Sequence, residues 1–190
     1  MAAVNFRWLP AVYAGLAGFF AAEALTRQPG DASSFKASSD DRGTTRLIVS
    51  AYLVAALLPL ASLRVRALKL PRAAGPAGLL LQAGGIALRV WSMRTLGDSY
   101  TRTLRTRAQQ PLVQTGPYRL VRHPGYAGSL LSWTGFALTS RSIPVIALLT
   151  ALLGRVYRQR IVAEETLLRQ ALPGYAGYGR RTRRLIPFVW

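Results

Sequence analysis

Hydrophobic and polar positions divide the chain into five apolar blocks, at residues 8–25, 47–63, 77–96, 127–138 and 143–157, with polar segments between them. A soluble helical domain would place polar residues at every third or fourth position of each helix, and a block such as residues 47–63 does not, so the blocks are read as membrane helices. The first block carries Trp8 and Tyr13 near its start as interface aromatics and Glu23 near its end. The third mixes Gly78, Gly84 and Gly85 with Leu and Ile, small residues that let helices approach closely, and has Arg89 and Arg94 toward its end. Only Thr139, Ser140, Arg141 and Ser142 separate the fourth block from the fifth, which predicts an antiparallel helical hairpin. After Val156 the pattern turns amphipathic: Ile161, Leu167 and Leu168 share a face, and Arg158, Arg160, Glu164, Glu165 and Arg169 are polar. The last span is therefore expected to emerge and continue as a helix in water until Pro173-Gly174. The fold class predicted is an all-α polytopic membrane protein with about five transmembrane helices. Residues 1–96 supply three N-terminal spans, and residues 97–190 the connecting loop, the hairpin and a C-terminal helix and tail.

Charge and composition sharpen this picture. The formal net charge of +18 would suit nucleic acid, but no basic helix, zinc spacing or aromatic-basic sheet motif accompanies it, so no nucleic-acid partner is expected. The arginines lie between blocks and after the last one, where they serve as anchors near anionic headgroups and as contacts for an anionic ligand. With no cysteine there are no disulfides, no thiolate catalysis and no cysteine metal sites, and no metal is expected. No small-x-small cleavage pattern follows the first block, so it reads as a retained span. Charge asymmetry puts the loops after the first and third blocks, and the C-terminal region, in the cytoplasm, with the N-terminus outside. The basic loop at residues 64–72 then falls on the opposite side from the other arginines.

Candidate chemistry gathers in Gly116-Pro117-Tyr118-Arg119-Leu120-Val121-Arg122-His123-Pro124-Gly125-Tyr126, which holds the only histidine. Each residue before a proline is pushed toward extended conformations and the two glycines permit turns, so this stretch is expected to be rigid and non-helical. Beside Tyr118 and Tyr126, His123 is open to a structural or a catalytic role. Arg160 and Glu164 stand four apart on the emerging helix. As a surface ion pair in the weaker Arg-before-Glu order they would contribute only about 0.2–0.5 kcal/mol, whereas interfacial charge on a span is by default functional. The glycine-rich Gly174-Tyr175-Ala176-Gly177-Tyr178-Gly179 follows a helix and precedes arginines, the wrong context for a strand-loop-helix nucleotide motif, and is read as a flexible turn.

Taken together, Leu112-Val113, Gly116-Pro117-Tyr118, Arg122-His123-Pro124-Gly125-Tyr126-Ala127-Gly128, Arg160 with Glu164-Glu165, and Arg184-Leu185-Ile186-Pro187 resemble the isoprenylcysteine carboxyl methyltransferases and their bacterial and archaeal relatives, and more distantly the phospholipid N-methyltransferases. The resemblance covers residues 96–190, and its order and spacing are more specific than any one piece. It implies an integral membrane enzyme of a bacterial or archaeal cell membrane, its active site facing the cytoplasm, transferring the methyl group of S-adenosyl-L-methionine. It implies cofactor binding by Gln110, Leu112, Val113, Tyr118, His123, Pro124, Tyr126 and Glu164, and a catalytic Arg160 at the substrate carboxylate or reacting centre. A histidine is common in eukaryotic members where this chain has Gln110, and a larger residue is frequent at Gly125. The implied reaction is carboxyl O-methylation of a lipophilic small molecule or prenylated acceptor among membrane lipids. Amine N-methylation, an NADPH-dependent membrane reductase and a non-enzymatic lipid-binding protein are the alternatives.

Overall fold

A computed structural model describes residues 8–26, 43–61, 68–100 and 111–187. Helices α1 (Leu9–Leu25), α2 (Thr44–Ala61), α3 (Ala74–Leu96), α4 (Pro124–Leu138) and α5 (Ile143–Ala171) stand where the five apolar blocks lie, and a short α6 (Tyr175–Arg181) follows. Prolines begin α1, α4 and α5 within the first two positions, where the missing N–H would have had no intrahelical partner.

Two stretches depart from the sequence expectation. The run from Gly116 to Tyr126 is not wholly non-helical: Gly116–Arg119 forms a 3-10 turn, and Pro124 opens α4 three residues before the apolar block starts. The prolines that restrict their predecessors are themselves good first-turn residues, and this second property decides the outcome. Likewise Gly174, at φ 83°, turns the chain after α5 so that Tyr175–Arg181 forms α6 where a flexible turn was expected. The alternation Tyr100-Thr101-Arg102-Thr103-Leu104, weakly strand-like in sequence, lies almost entirely outside the described residues.

Helices α3 and α4 are joined backbone to backbone. A Cβ on Gly78 would stand 2.7 Å from the Gly135 carbonyl oxygen, one on Gly85 2.6 Å from that of Gly128, and the reverse placements are as tight. Gly78 and Gly85 are thus the close-approach residues of α3, matched by Gly128 and Gly135, whereas Gly84 faces open space. Helix α5 buries Val145, Leu149, Leu153, Val156 and Ile161 against Trp133 and Phe136 of α4 and Val12, Leu16, Ala51 and Ala55 of α1 and α2. Tyr52 stacks on Trp133 at 4.9 Å, and its hydroxyl meets that of Tyr157 at 2.8 Å.

At one end of the bundle the connections before α3 and before α5 are stapled: the Leu70 amide donates to the Arg141 carbonyl at 2.8 Å and the Ile143 amide to that of Leu68 at 3.1 Å. The opposite end holds the stretch between α3 and α4, the last turns of α5, and α6. There the amides of Arg122 and His123 donate to the carbonyls of Arg183 and Arg184 at 2.7 and 2.9 Å, and Leu185 is buried in the main core. The tail therefore folds back onto protein as far as it is described.

Among the described residues no helix is both long and apolar enough to cross a membrane. With 17 and 15 residues, α1 and α4 are short of the roughly 20 that a span needs, while the longer α3 and α5 carry arginines within their length. Large apolar side chains nevertheless face outward along the bundle, among them Leu53, Leu57, Leu80 and Leu148.

Candidate active site

A cavity of ≈ 270 Å³ opens at the end of the bundle where α5 leaves the core. One wall comes from Leu112, Val113, Tyr118, His123 and Tyr126, faced by Leu168 of α5 and Tyr175 and Tyr178 of α6. The other end is apolar and aromatic, lined by Phe19 and Phe20 of α1 and Ile48, Val49 and Tyr52 of α2. Arg160 and Glu164 lie between them on α5.

Four-residue spacing sets Arg160 and Glu164 on one face of α5, and Tyr126, in the first turn of α4, meets both. Its hydroxyl donates to Glu164 Oε2 at 2.7 Å and accepts from Arg160 Nε at 3.2 Å. Arg160 is only 2% exposed, and its Nη1 also donates to Thr44 Oγ1 at 2.7 Å and Thr45 Oγ1 at 3.2 Å in the first turn of α2. The guanidinium thereby ties α5 to both α4 and α2 at the middle of the cavity.

Glu165, one residue on, points about 100° away around the helix and does not line the cavity. Its carboxylate, 2% exposed, accepts from Arg122 Nε and Arg184 Nη2 at 2.9 Å each and from Arg169 Nη2 at 3.3 Å, and lies 3.4 Å from His123 Nε2. Burial acts to raise its pKa, but the hydrogen bonds of His123, Arg184 and Arg122 outweigh burial and hold the carboxyl well below the usual carboxylate range. This ionised hub fixes the His123 ring, 5.8 Å from that of Tyr126, against the back of the cavity wall. Behind it, Tyr178 of α6 donates to the Tyr118 carbonyl at 2.6 Å, and burial pushes its phenol up to about 12.

A second charged group closes the cavity from α1 and α3. Arg89 pairs with Glu23, donates to the Gly125 carbonyl at 3.0 Å and to Ser129 Oγ at 2.7 Å, and lies over the Phe19 ring at 5.4 Å. Tyr100 donates to Glu23 Oε2 at 3.3 Å. Arg89 thus turns into the protein, toward the polar segment that follows α3.

Of the residues singled out from sequence, the structure brings Leu112, Val113, Tyr118, His123, Tyr126, Arg160 and Glu164 to one cavity. Pro124 is fully buried as the first residue of α4 and does not line it. Gln110 lies outside the described residues. Sequence reasoning missed Glu23, Arg89 and Tyr175 as wall residues, and Glu165 with Arg122 and Arg184 as the hub behind the wall. A charge inside an apolar block was the available signal for Glu23 and Arg89. Among the described residues no group of three or more His, Asp or Glu side chains is placed to hold a metal ion.

Comparison with known proteins adds to this geometry. Residues 74–173 match the family model "Phospholipid methyltransferase". A protein of Oryza sativa subsp. indica named probable protein-S-isoprenylcysteine O-methyltransferase is 32% identical over 115 residues, 59% of this chain and 60% of that one. The cobalt-zinc-cadmium resistance protein CzcN of Cupriavidus metallidurans is 37% identical over 81 residues, covering 43% of this chain and 38% of its own length. The chain thus spans about three fifths or less of the length of these relatives. Among solved structures, the eukaryotic intramembrane Ras methyltransferase, isoprenylcysteine carboxyl methyltransferase, superposes with a TM-score of 0.70 at 22% identity, over 100% of this chain and 69% of that one, so the two share a fold. Because the matched family model covers more than half of the 190 residues, from the start of α3 to just past the end of α5, the chain belongs to the phospholipid methyltransferase family.

Proposed function

We propose that the protein is a membrane methyltransferase that uses S-adenosyl-L-methionine to methylate the carboxylate of a lipophilic or prenylcysteine-like acceptor. The observation that carries this reading is the single cavity joining the His123–Tyr126 wall to an aromatic mouth on α1 and α2, with Arg160 between them. The relatives named as isoprenylcysteine O-methyltransferases support it, as do the outward-facing leucines, which suit a lipid surrounding.

The residues present fit the cofactor by their donor set. Glu164 offers a carboxylate to sugar hydroxyls, Leu112, Val113 and Leu168 offer apolar contact to a flat base, and Tyr118 and Tyr126 offer aromatic walls. When bound, S-adenosyl-L-methionine supplies a methyl group already activated on a sulfonium. The protein's remaining task is to position the acceptor in line and exclude water, and positioning of that kind is worth about 7–11 kcal/mol of a barrier. Arg160 presents a guanidinium fork that suits a carboxylate, and Tyr126 holds it in register with Glu164. A carboxylate nucleophile has no proton to lose, so His123 binds and orients and takes no part as a base. The site opens at the end of the bundle assigned to the cytoplasm by charge, so a polar cofactor enters from there and a lipid-like acceptor through the α1–α2 mouth.

A second reading, methylation of an uncharged amine, is favoured by Glu23 on the cavity wall, whose carboxylate can accept a hydrogen bond from the N–H of the nucleophile. One experiment tests the first and separates the second. Membranes containing the protein are incubated with methyl-labelled cofactor and the extracted lipophilic product is treated with mild base. Base-labile label marks an ester and supports carboxyl methylation. Base-stable label marks an amine and replaces it, and no label removes both.

A further inference from the structure

Three buried side-chain polar atoms are without a hydrogen-bond partner among the described residues: Trp133 Nε1, Ser142 Oγ and the Tyr175 hydroxyl. Neither Trp133 nor Ser142 lines the cavity, whereas Tyr175 is part of its wall. A buried hydroxyl left unpaired costs free energy, and a tyrosine that only filled space would be replaced by phenylalanine at no loss. The residue is 3% exposed, as the first residue of α6 it is placed by the left-handed turn at Gly174, and its ring meets Tyr178 edge-on at 6.0 Å. Leu172, Leu112 and Leu168 pack around the two rings, and the five side chains together line this end of the cavity. This end is apolar apart from the phenol hydroxyls and the Tyr175 O–H is unpaired, which complements a flat heteroaromatic ring with polar atoms at its edge.

We infer that the Tyr175 hydroxyl is a ligand-binding group, hydrogen-bonded to the edge of the purine ring of the cofactor. The assignment rests on the methyltransferase reading, and goes beyond it by naming a residue of α6 and the part of the cofactor that it reads. Burial and the nearby carboxylates of Glu165 and Glu164 keep this phenol protonated well above neutral pH, so it is available as a donor.

The test is calorimetric titration of the purified full chain in detergent, wild type and Tyr175→Phe, with two probes. S-adenosylhomocysteine carries the whole cofactor frame, and 5′-methylthioadenosine lacks the amino-acid part. The expected result is a loss of affinity of about 3- to 10-fold in Tyr175→Phe, equal for both probes, with the thermal midpoint of the ligand-free protein unchanged or raised. Equal affinities in the two proteins overturn the inference while leaving the methyltransferase reading intact. A loss confined to S-adenosylhomocysteine assigns the hydroxyl to the amino-acid part and overturns the purine contact. A loss of affinity accompanied by a lowered ligand-free midpoint marks a structural hydroxyl and overturns it as well. If the wild type binds neither probe, the functional reading falls and the inference with it.

Discussion

Tyr126 is the residue on which the site's two opposite charges meet: its hydroxyl accepts from Arg160 Nε and donates to Glu164 Oε2. Replacing it with phenylalanine removes one hydrogen bond from each partner while keeping the ring against Tyr157 at 5.4 Å. Tyr126→Phe is therefore expected to lower both turnover and S-adenosylhomocysteine affinity, each by about 10-fold, measured by labelled-methyl transfer and calorimetry. Arg160→Lys separates the two effects. Lysine keeps the charge and loses the fork, so turnover is expected to fall at least about 10-fold with cofactor affinity nearly unchanged. Much of this was legible beforehand: one histidine between prolines, and an arginine four residues before a glutamate, are visible in a bare string. What the string hid was the division of labour between Glu164 and Glu165. Adjacent letters on a helix face directions about 100° apart, and only the packing of α4 and the tail shows that the first meets the cavity and the second the arginines behind it.

Elements hold the site in place through two devices, a glycine seam and a buried charge hub. Along the seam, Gly128→Ala puts a methyl group 2.7 Å from the Gly85 carbonyl oxygen, with backbone on every side and no side chain able to yield. Overpacking of this kind is expected to cost about 1–3 kcal/mol and to lower the thermal midpoint in detergent, whereas Gly84→Ala, facing open space, should be neutral or mildly stabilising. At the hub, the folded-state pKa of Glu165 lies below its ordinary value of 4.5. Its contribution to stability is accordingly full above that value and is lost as pH falls toward the depressed one. Denaturation followed from pH 6 down to about pH 3 is expected to show this loss, and Glu165→Gln to flatten that part of the slope while costing on the order of 3 kcal/mol at neutral pH. The five helices were readable from apolar blocks because a run of apolar residues is a local signal. The seam was half readable: the glycines of α3 suggested close approach, but Gly128 and Gly135 sit in a region whose motif drew attention to chemistry. Helix α6 was not readable, because its glycines argue against a helix and what holds it is tertiary: docking of Tyr175 and Tyr178 against Leu112 and Leu168, and the Tyr178 bond to the Tyr118 carbonyl.

At the scale of the whole molecule, the cavity belongs to neither half of the chain. Residues 97–190 carry the recognisable motifs, yet Phe19, Phe20, Glu23, Ile48 and Tyr52 from the first half make the mouth, and Thr44 and Thr45 hold Arg160. Contacts between residues more than a hundred positions apart leave no trace in a local pattern, which is why the N-terminal helices read only as apolar spans. The arrangement also gives the acceptor question a handle: narrowing the mouth with Val49→Trp is expected to reduce transfer to long-chain acceptors by about 10-fold while leaving S-adenosylhomocysteine affinity within about 2-fold, since the cofactor wall lies at the other end.

The central claim is that this cavity holds S-adenosyl-L-methionine, and calorimetric titration of the detergent-purified protein tests it most directly. Wild type is expected to bind S-adenosylhomocysteine saturably at one site, to show no heat with NADPH, and to lose about 10-fold or more in affinity on Glu164→Gln. Saturable binding of NADPH without S-adenosylhomocysteine binding, or an affinity indifferent to Glu164→Gln, would contradict the account.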